Sequence, residues 1–306
     1  MQTTSNLLMI KPVAFGLNNQ TAESNAFQNR NASQIDVQKN AAKEFDDFVA
    51  ILRQNKINVL VIEDTLKPHT PDAIFPNNWI SFHDDGTIFL YPMQAENRRL
   101  ERRADLISEI RKQFEVTKIE DLSALENEGI YLEGTGSLVL DRENKLAYAC
   151  LSIRTQEKAL TEFSNRSGYK VIKFNAVDQN GKAIYHTNVM MCVAEKFVII
   201  CLESIIDEQE KTTLITNITQ TGKEIIPITW AQMNQFAGNM LSVKNTENQS
   251  FLVMSESAYL ALTETQIQSI SKYSSIIYSP LNTIEENGGG SARCMMAEIH
   301  LPVILS

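Results

Sequence analysis

Cys294, His186 and Glu133 are a thiol, an imidazole and a carboxylate, three groups from which nucleophilic catalysis is readily assembled. A thiolate attacks an electron-poor carbon, and an imidazole gives and takes a proton near neutral pH. A carboxylate can orient that imidazole or hold substrate N–H groups. The three lie far apart in the chain but at regular intervals. With Asn78 and Asn239 they form the series 78, 133, 186, 239 and 294, spaced by 53 to 55 residues. Each opens an apolar, hairpin-like segment: Pro76-Asn77-Asn78-Trp79, Leu132-Glu133-Gly134-Thr135-Gly136, Tyr185-His186-Thr187-Asn188, Gly238-Asn239-Met240 and Gly290-Ser291-Ala292-Arg293-Cys294. That is a repeat signature. If five repeats close around an axis, equivalent positions meet at the centre and the scattered residues become one site.

Each candidate also has a plainer reading. Gly288-Gly289-Gly290 lets backbone approach Cys294 closely and Arg293 places a cation beside it, both of which favour a thiolate. A cysteine after glycines can equally be structural, and neighbours on a strand face opposite sides, which would turn Arg293 away. His186 reads as a general acid and base or as a satisfied core histidine, and Glu133 as a catalytic partner or a turn cap. Cys150, Cys192 and Cys201 sit in apolar runs as small core thiols do. With no Cys-x-x-Cys and no His-x-x-x-His, zinc spacing is absent. The glycines before Cys294 lack the lysine and serine of a phosphate loop. Neither metal nor cofactor is expected.

The elements that must position these residues recur as strand, tight turn, strand, helix, strand. Asn78 to Phe82 and Thr87 to Tyr91 form a hairpin through Asp84-Asp85-Gly86, followed by a helix from Arg98 to Phe114. Ser137 to Leu140 and Leu146 to Leu151 precede a helix from Thr155 to Ser167. Asn188 to Val193 and Phe197 to Leu202 precede one from Asp207 to Thr219. Met240 to Val243 and Phe251 to Met254 precede one from Glu264 to Tyr273. The fifth unit is split: Arg293 to Ile299 supplies one strand, Leu7 to Ile10 its partner, and Gln34 to Leu52 the helix, with Ala41, Phe45, Phe48 and Leu52 inward. Each unit alone leaves an apolar face uncovered, so stacking buries the core and the split ties the termini together. A single domain over residues 1–306 is expected.

Bulk properties limit the partners. A formal net charge of −9 argues against a nucleic-acid surface, and the run Arg98, Arg99, Arg102, Arg103 reads in isolation as a solvated helix face. No stretch approaches a membrane span and the first residues do not resemble a secretion signal, so a cytoplasmic protein with a small-molecule substrate is expected. The oligomeric state is left open.

These residues together resemble the pentein, or guanidine-modifying, superfamily: arginine deiminases, dimethylarginine dimethylaminohydrolases, agmatine deiminases and amidinotransferases. The resemblance runs nearly end to end. It is closest to the citrulline-utilisation hydrolase branch through Ala14-Phe15-Gly16-Leu17-Asn18-Asn19-Gln20-Thr21-Ala22, Asn25-Ala26-Phe27-Gln28 and Phe75-Pro76-Asn77-Asn78-Trp79. It implies a five-bladed α/β propeller of ββαβ units in which Cys294 attacks the central carbon of a guanidino or ureido group. His186 would protonate the leaving amine and then activate water, and Glu133 would hold substrate N–H groups and the imidazole. Asp72 would bind substrate, and Arg98 and Arg154 would grip its α-carboxylate.

The departures from the family bear on substrate. Asn78 and Asn188 stand where arginine deiminases carry aspartates, and an amide offers a donor and an acceptor suited to a ureido group. A carboxylate facing a neutral substrate would stay uncompensated. The resemblance therefore points to hydrolysis of citrulline to ornithine. The alternatives are an arginine deiminase or dimethylarginine hydrolase activity, or a non-catalytic pentein binding module. Gly136 replaces the aspartate of the family's Gly-Gly-Asp, and Asn239 has no assigned part beyond a structural one.

Overall fold

The computed structural model describes residues 1–21 and 34–304. Five three-stranded sheets are built to one plan, an antiparallel hairpin whose second strand pairs in parallel with a third. In the first, Ile80–Phe82 runs antiparallel to Thr87–Leu90, which pairs in parallel with Lys118–Asp121. The second contains Val139–Asp141, Leu146–Cys150 and Lys170–Phe174, and the third Met191–Val193, Phe197–Ile200 and Glu224–Pro227. The fourth contains Leu241–Lys244, Ser250–Ser255 and Ser275–Ser279. A parallel pair cannot be joined by a hairpin, so helical crossovers such as Glu157–Ser167 and Glu208–Gln220 link the second and third strands.

The fifth sheet joins the chain ends as expected. Ala297–Glu298 pairs antiparallel with Asn6–Lys11, which pairs in parallel with Asn58–Glu63 beyond the helix Gln34–Gln54. Each sheet packs on the next, and the split fifth unit touches both the fourth and the first, which closes the ring. Burial follows the periodicity: Ala41, Phe45, Phe48 and Leu52 have no exposed surface. Asp207 Oδ1 accepts from the N–H groups of Gln209 and Glu210 and starts its helix, and Gly168, at φ 73°, ends the helix before it.

Two expectations are corrected. The helix from Arg98 to Phe114 is two short helices, Glu96–Arg99 and Ala104–Ile110. Its arginines are not a solvated face. Arg99 donates to Met93 O, Arg102 to Tyr91 O and Glu126, and Arg103 to Glu63 O, so polar bonds to neighbouring segments outcompete a continuous helix.

The strands expected from Asn78, Ser137, Asn188 and Arg293 also begin later. Pro76–Asn78 and Thr187–Val189 are 3-10 turns, Gly134–Ser137 is one helical turn, and Cys294 lies in a turn between residues 292 and 295. These turns put side chains at the ring's centre that a strand's alternation would send to opposite faces. Among the described residues, no helix is long and apolar enough to cross a membrane.

Candidate active site

Cys294, His186, Asn78, Asp72, Arg98 and Arg154 line one narrow cavity at the centre of the ring. Glu133 stands directly behind His186 with no exposed surface. Its Oε2 lies 2.8 Å from His186 Nε2 and 3.4 Å from Arg154 Nη1, and its Oε1 accepts from the Gln94 N–H at 3.1 Å. Burial opposes charge on this carboxylate. Arg154, His186 and Arg98 outweigh burial and hold the group well below the usual carboxylate range. A carboxylate only accepts, so His186 carries its proton on Nε2 and Nδ1 is left as the basic nitrogen. Burial lowers the imidazole to about 4, even though the bond to Glu133 acts the other way. At neutral pH the pair is an anion beside a neutral base.

Of the two readings of Arg293, the structure shows the one in which it leaves the thiol. Arg293 turns away from the sulfur, as its guanidinium donates to Met296 O at 2.7 Å and pairs with Glu298 at 2.7 Å. The reason is that side-chain pair and not strand alternation. Two amides take the place of the cation: Asn239 Nδ2 lies 3.3 Å and Asn188 Nδ2 3.6 Å from Cys294 Sγ. Asn188 Oδ1 is buried and accepts no hydrogen bond among the described residues. Burial pushes the Cys150 and Cys192 thiols up to about 12. The glycines before Cys294 serve close packing: a Cβ on Gly288 would stand 2.7 Å from the Phe75 ring, and one on Gly290 2.9 Å.

Asp72 is 3% exposed and lines the same cavity. Asn18 Nδ2 donates to its Oδ2 at 2.7 Å and Thr21 Oγ1 at 3.2 Å. Burial raises Asp72 despite Arg98 and these bonds. The segment through Asn18 and Thr21 thus reaches the site, whereas Ala22 and Asn25-Ala26-Phe27-Gln28 lie outside the described residues.

Arg98 is committed within the protein and not poised as an open carboxylate clamp. Its Nε and Nη2 form a fork on Glu101 at 2.8 and 2.9 Å, Nη2 reaches Phe75 O at 3.2 Å, and Nη1 donates to Asn78 Oδ1 at 2.7 Å. Sequence reading missed Glu101 because an i,i+3 pair on a charged stretch looks like ordinary surface pairing. Tyr185 was missed as well. Its hydroxyl donates to Gly289 O at 2.8 Å and Arg154 sits 4.9 Å over its ring, so it ties the glycine loop to the arginine.

Gly136 has a steric explanation. A Cβ there would lie 2.4 Å from Asn78 Nδ2 and 2.9 Å from His186 Nδ1, so no aspartate fits while both groups keep their places. Gly136→Ala is expected to lower kcat by about 10- to 100-fold, because a shift of about 1 Å in a reacting group costs that much, while destabilising by only about 1–3 kcal/mol. Steady-state kinetics beside thermal unfolding checks this; unchanged kcat would show that the crowding does not matter.

The sequence profile of the eukaryotic N,N dimethylarginine dimethylhydrolase family matches residues 11–301. The chain belongs to this family. The five-unit α/β ring is the pentein fold, and membership of a family described as a dimethylhydrolase weighs against the non-catalytic binding-module reading. No curated protein matches the chain.

Among solved structures, the substrate-bound N-terminal domain of ArgZ, an arginine dihydrolase of the ornithine–ammonia cycle in cyanobacteria, is similar with a TM-score of 0.74. Identity is 14%, covering 98% of this chain and 99% of that domain. Unliganded AgrE gives a TM-score of 0.74 at 17% identity, covering 98% of this chain and 40% of that one. A dimethylarginine dimethylaminohydrolase adduct with S-methyl-L-thiocitrulline gives 0.65 at 12%, covering 97% and 100%. At these identities the likeness concerns the fold. The chain spans 41% of the full ArgZ chain.

Proposed function

We propose that this family member, acting as a single catalytic domain, hydrolyses the ureido C–N bond of citrulline to give ornithine, ammonia and carbon dioxide. The observation that carries the reading is the 2.7 Å bond from Arg98 Nη1 to Asn78 Oδ1. A guanidinium only donates, so the Asn78 atom facing it must be the oxygen. What Asn78 offers the cavity is then its NH2, of which one hydrogen goes to Asn77 Oδ1 at 2.9 Å and the other remains for a substrate acceptor. A ureido carbonyl is such an acceptor, and an arginine guanidinium has none. Asn188 Oδ1, buried without a donor among the described residues, suits a ureido N–H. The carboxylate behind the imidazole is already matched by Arg154 and His186, which favours a neutral reacting group over a cation.

In this reading the Cys294 proton passes to His186 Nδ1 and the thiolate attacks the ureido carbon. His186 then gives that proton to the δ-nitrogen, which departs as the ornithine amine, leaving a carbamoyl thioester on Cys294. Water, deprotonated by His186, attacks the thioester; the thiol is restored and the released carbamate breaks down to ammonia and carbon dioxide. Asp72 receives the substrate's α-ammonium and Arg154 its α-carboxylate.

A second reading, hydrolysis of arginine or a methylated arginine, is favoured by the family match and by the arginine named for the ArgZ and AgrE structures. Parallel steady-state assays with citrulline, arginine and dimethylarginine decide. Citrulline is expected to give the highest kcat/KM; turnover of arginine with none of citrulline would overturn the leading reading.

A further inference from the structure

We propose that Asn239 is a catalytic residue, an amide N–H donor fixed on the Cys294 sulfur that stabilises negative charge there during thiolate formation and thioester breakdown. The inference rests on Cys294 being the nucleophile and goes beyond it. Asn239 is the fourth of the five repeat-equivalent residues, 1% exposed, and its hydrogen bonds leave it one orientation. The backbone N–H of Arg293 donates to its Oδ1 at 3.1 Å, and its Nδ2 donates to the carbonyl of Asn188 at 3.0 Å. A backbone N–H can only donate and a carbonyl only accept, so the two bonds independently fix which end of the amide is nitrogen. The second hydrogen of Nδ2 is then available to the sulfur, 3.3 Å away.

The backbone is shaped for this approach. A Cβ on Gly238 would stand 2.3 Å from Val189 O, so the residue before Asn239 must lack a side chain for the segment to reach the third unit. Among the described residues, the hydrogen bonds to the sulfur come from the amides of Asn239 and Asn188 alone. The charged and titratable groups around the same cavity are His186, Asp72, Arg98, Arg154 and Tyr185, with Glu133 behind His186, while Arg293 is turned to Glu298. A donor oriented before the reaction stabilises developing charge without reorganisation, and removal of one such donor costs about 10²- to 10³-fold in kcat. Asn188 Oδ1 has no donor among the described residues, whereas both ends of the Asn239 amide are bonded.

The test compares wild type with Asn239→Asp, which keeps the acceptor for Arg293 but presents oxygen to the sulfur, and with Asn239→Ala, which removes the amide. Iodoacetamide labelling of Cys294 is followed across pH by mass spectrometry, with Cys294→Ala as the blank. The proposal expects the labelling profile of both variants to move to higher pH by about one unit and kcat to fall about 100-fold, with KM changed less than about threefold. An unmoved labelling profile in whichever variant unfolds thermally like wild type would overturn it. Full activity in Cys294→Ala would instead overturn the covalent mechanism itself, so the two failures are distinguishable.

Discussion

Cys294→Ala is expected to reduce turnover to background, a loss on the order of 10⁴-fold or more, while the protein stays folded. The side chain is 6% exposed and packs beside the glycine loop and Phe75, so trading sulfur for a hydrogen removes little contact area. The chemistry loses its nucleophile outright, and Cys150, Cys192 and Cys201 are not among the residues lining the cavity, with burial pushing each of their thiols up. A companion measurement reads the intermediate. Wild-type enzyme quenched in acid during citrulline turnover should gain about 43 Da, the mass of a carbamoyl group replacing a proton, on the peptide containing Cys294. Retained activity in the alanine variant refutes covalent catalysis; adduct on another residue relocates it.

Glu133→Gln is expected to lower kcat by about 10² to 10⁴-fold with a smaller effect on KM. The anion is what makes an imidazolium tolerable in a place where burial already lowers His186 to about 4. Without it, the cation formed each time His186 takes a proton has lost its 2.8 Å partner. Linkage also sets a sign for stability. Because the folded state depresses the Glu133 carboxyl, its contribution is present above the unfolded value of 4.5 and is lost as pH falls below it. The glutamine variant should therefore lose less stability than wild type between pH 5 and pH 3, despite starting lower because Arg154 is left with a buried charge. Thermal unfolding across pH measures this. Equal pH dependence in the two proteins would mean that folding does not depress the Glu133 carboxyl.

Much of the fold was legible because each unit has its own period. The helix Gln34–Gln54 carries its apolar residues at helical spacing, and a hairpin such as Ile80–Phe82 with Thr87–Leu90 carries a turn glycine at φ 81°. The errors fall where polar side chains take over from periodicity. The expected helix at Arg98 breaks because its arginines bind carbonyls and carboxylates of other segments, a non-local preference that no window of sequence contains. The ends of the turns Pro76–Asn78 and Thr187–Val189, from Asn78 and from Asn188, were read as strand because each turn leads into one.

The candidate site was legible to the same depth. Spacing nominated Asn78, Glu133, His186, Asn239 and Cys294, and the resemblance added Asp72, Arg98, Arg154 and Asn188. Residue type and interval are local facts, so the chain by itself determined which chemistry is available and that five equivalent positions could meet. Orientation is not local. Only the closed ring decided that Arg98 fixes the face Asn78 presents, that Arg293 belongs to Glu298, and that Asn239 donates to the thiol. The physical reason is that an amide has two unlike ends of nearly the same shape. Which end meets the reacting group is settled by donors and acceptors brought in from other units, and those arrive only when the ring has closed.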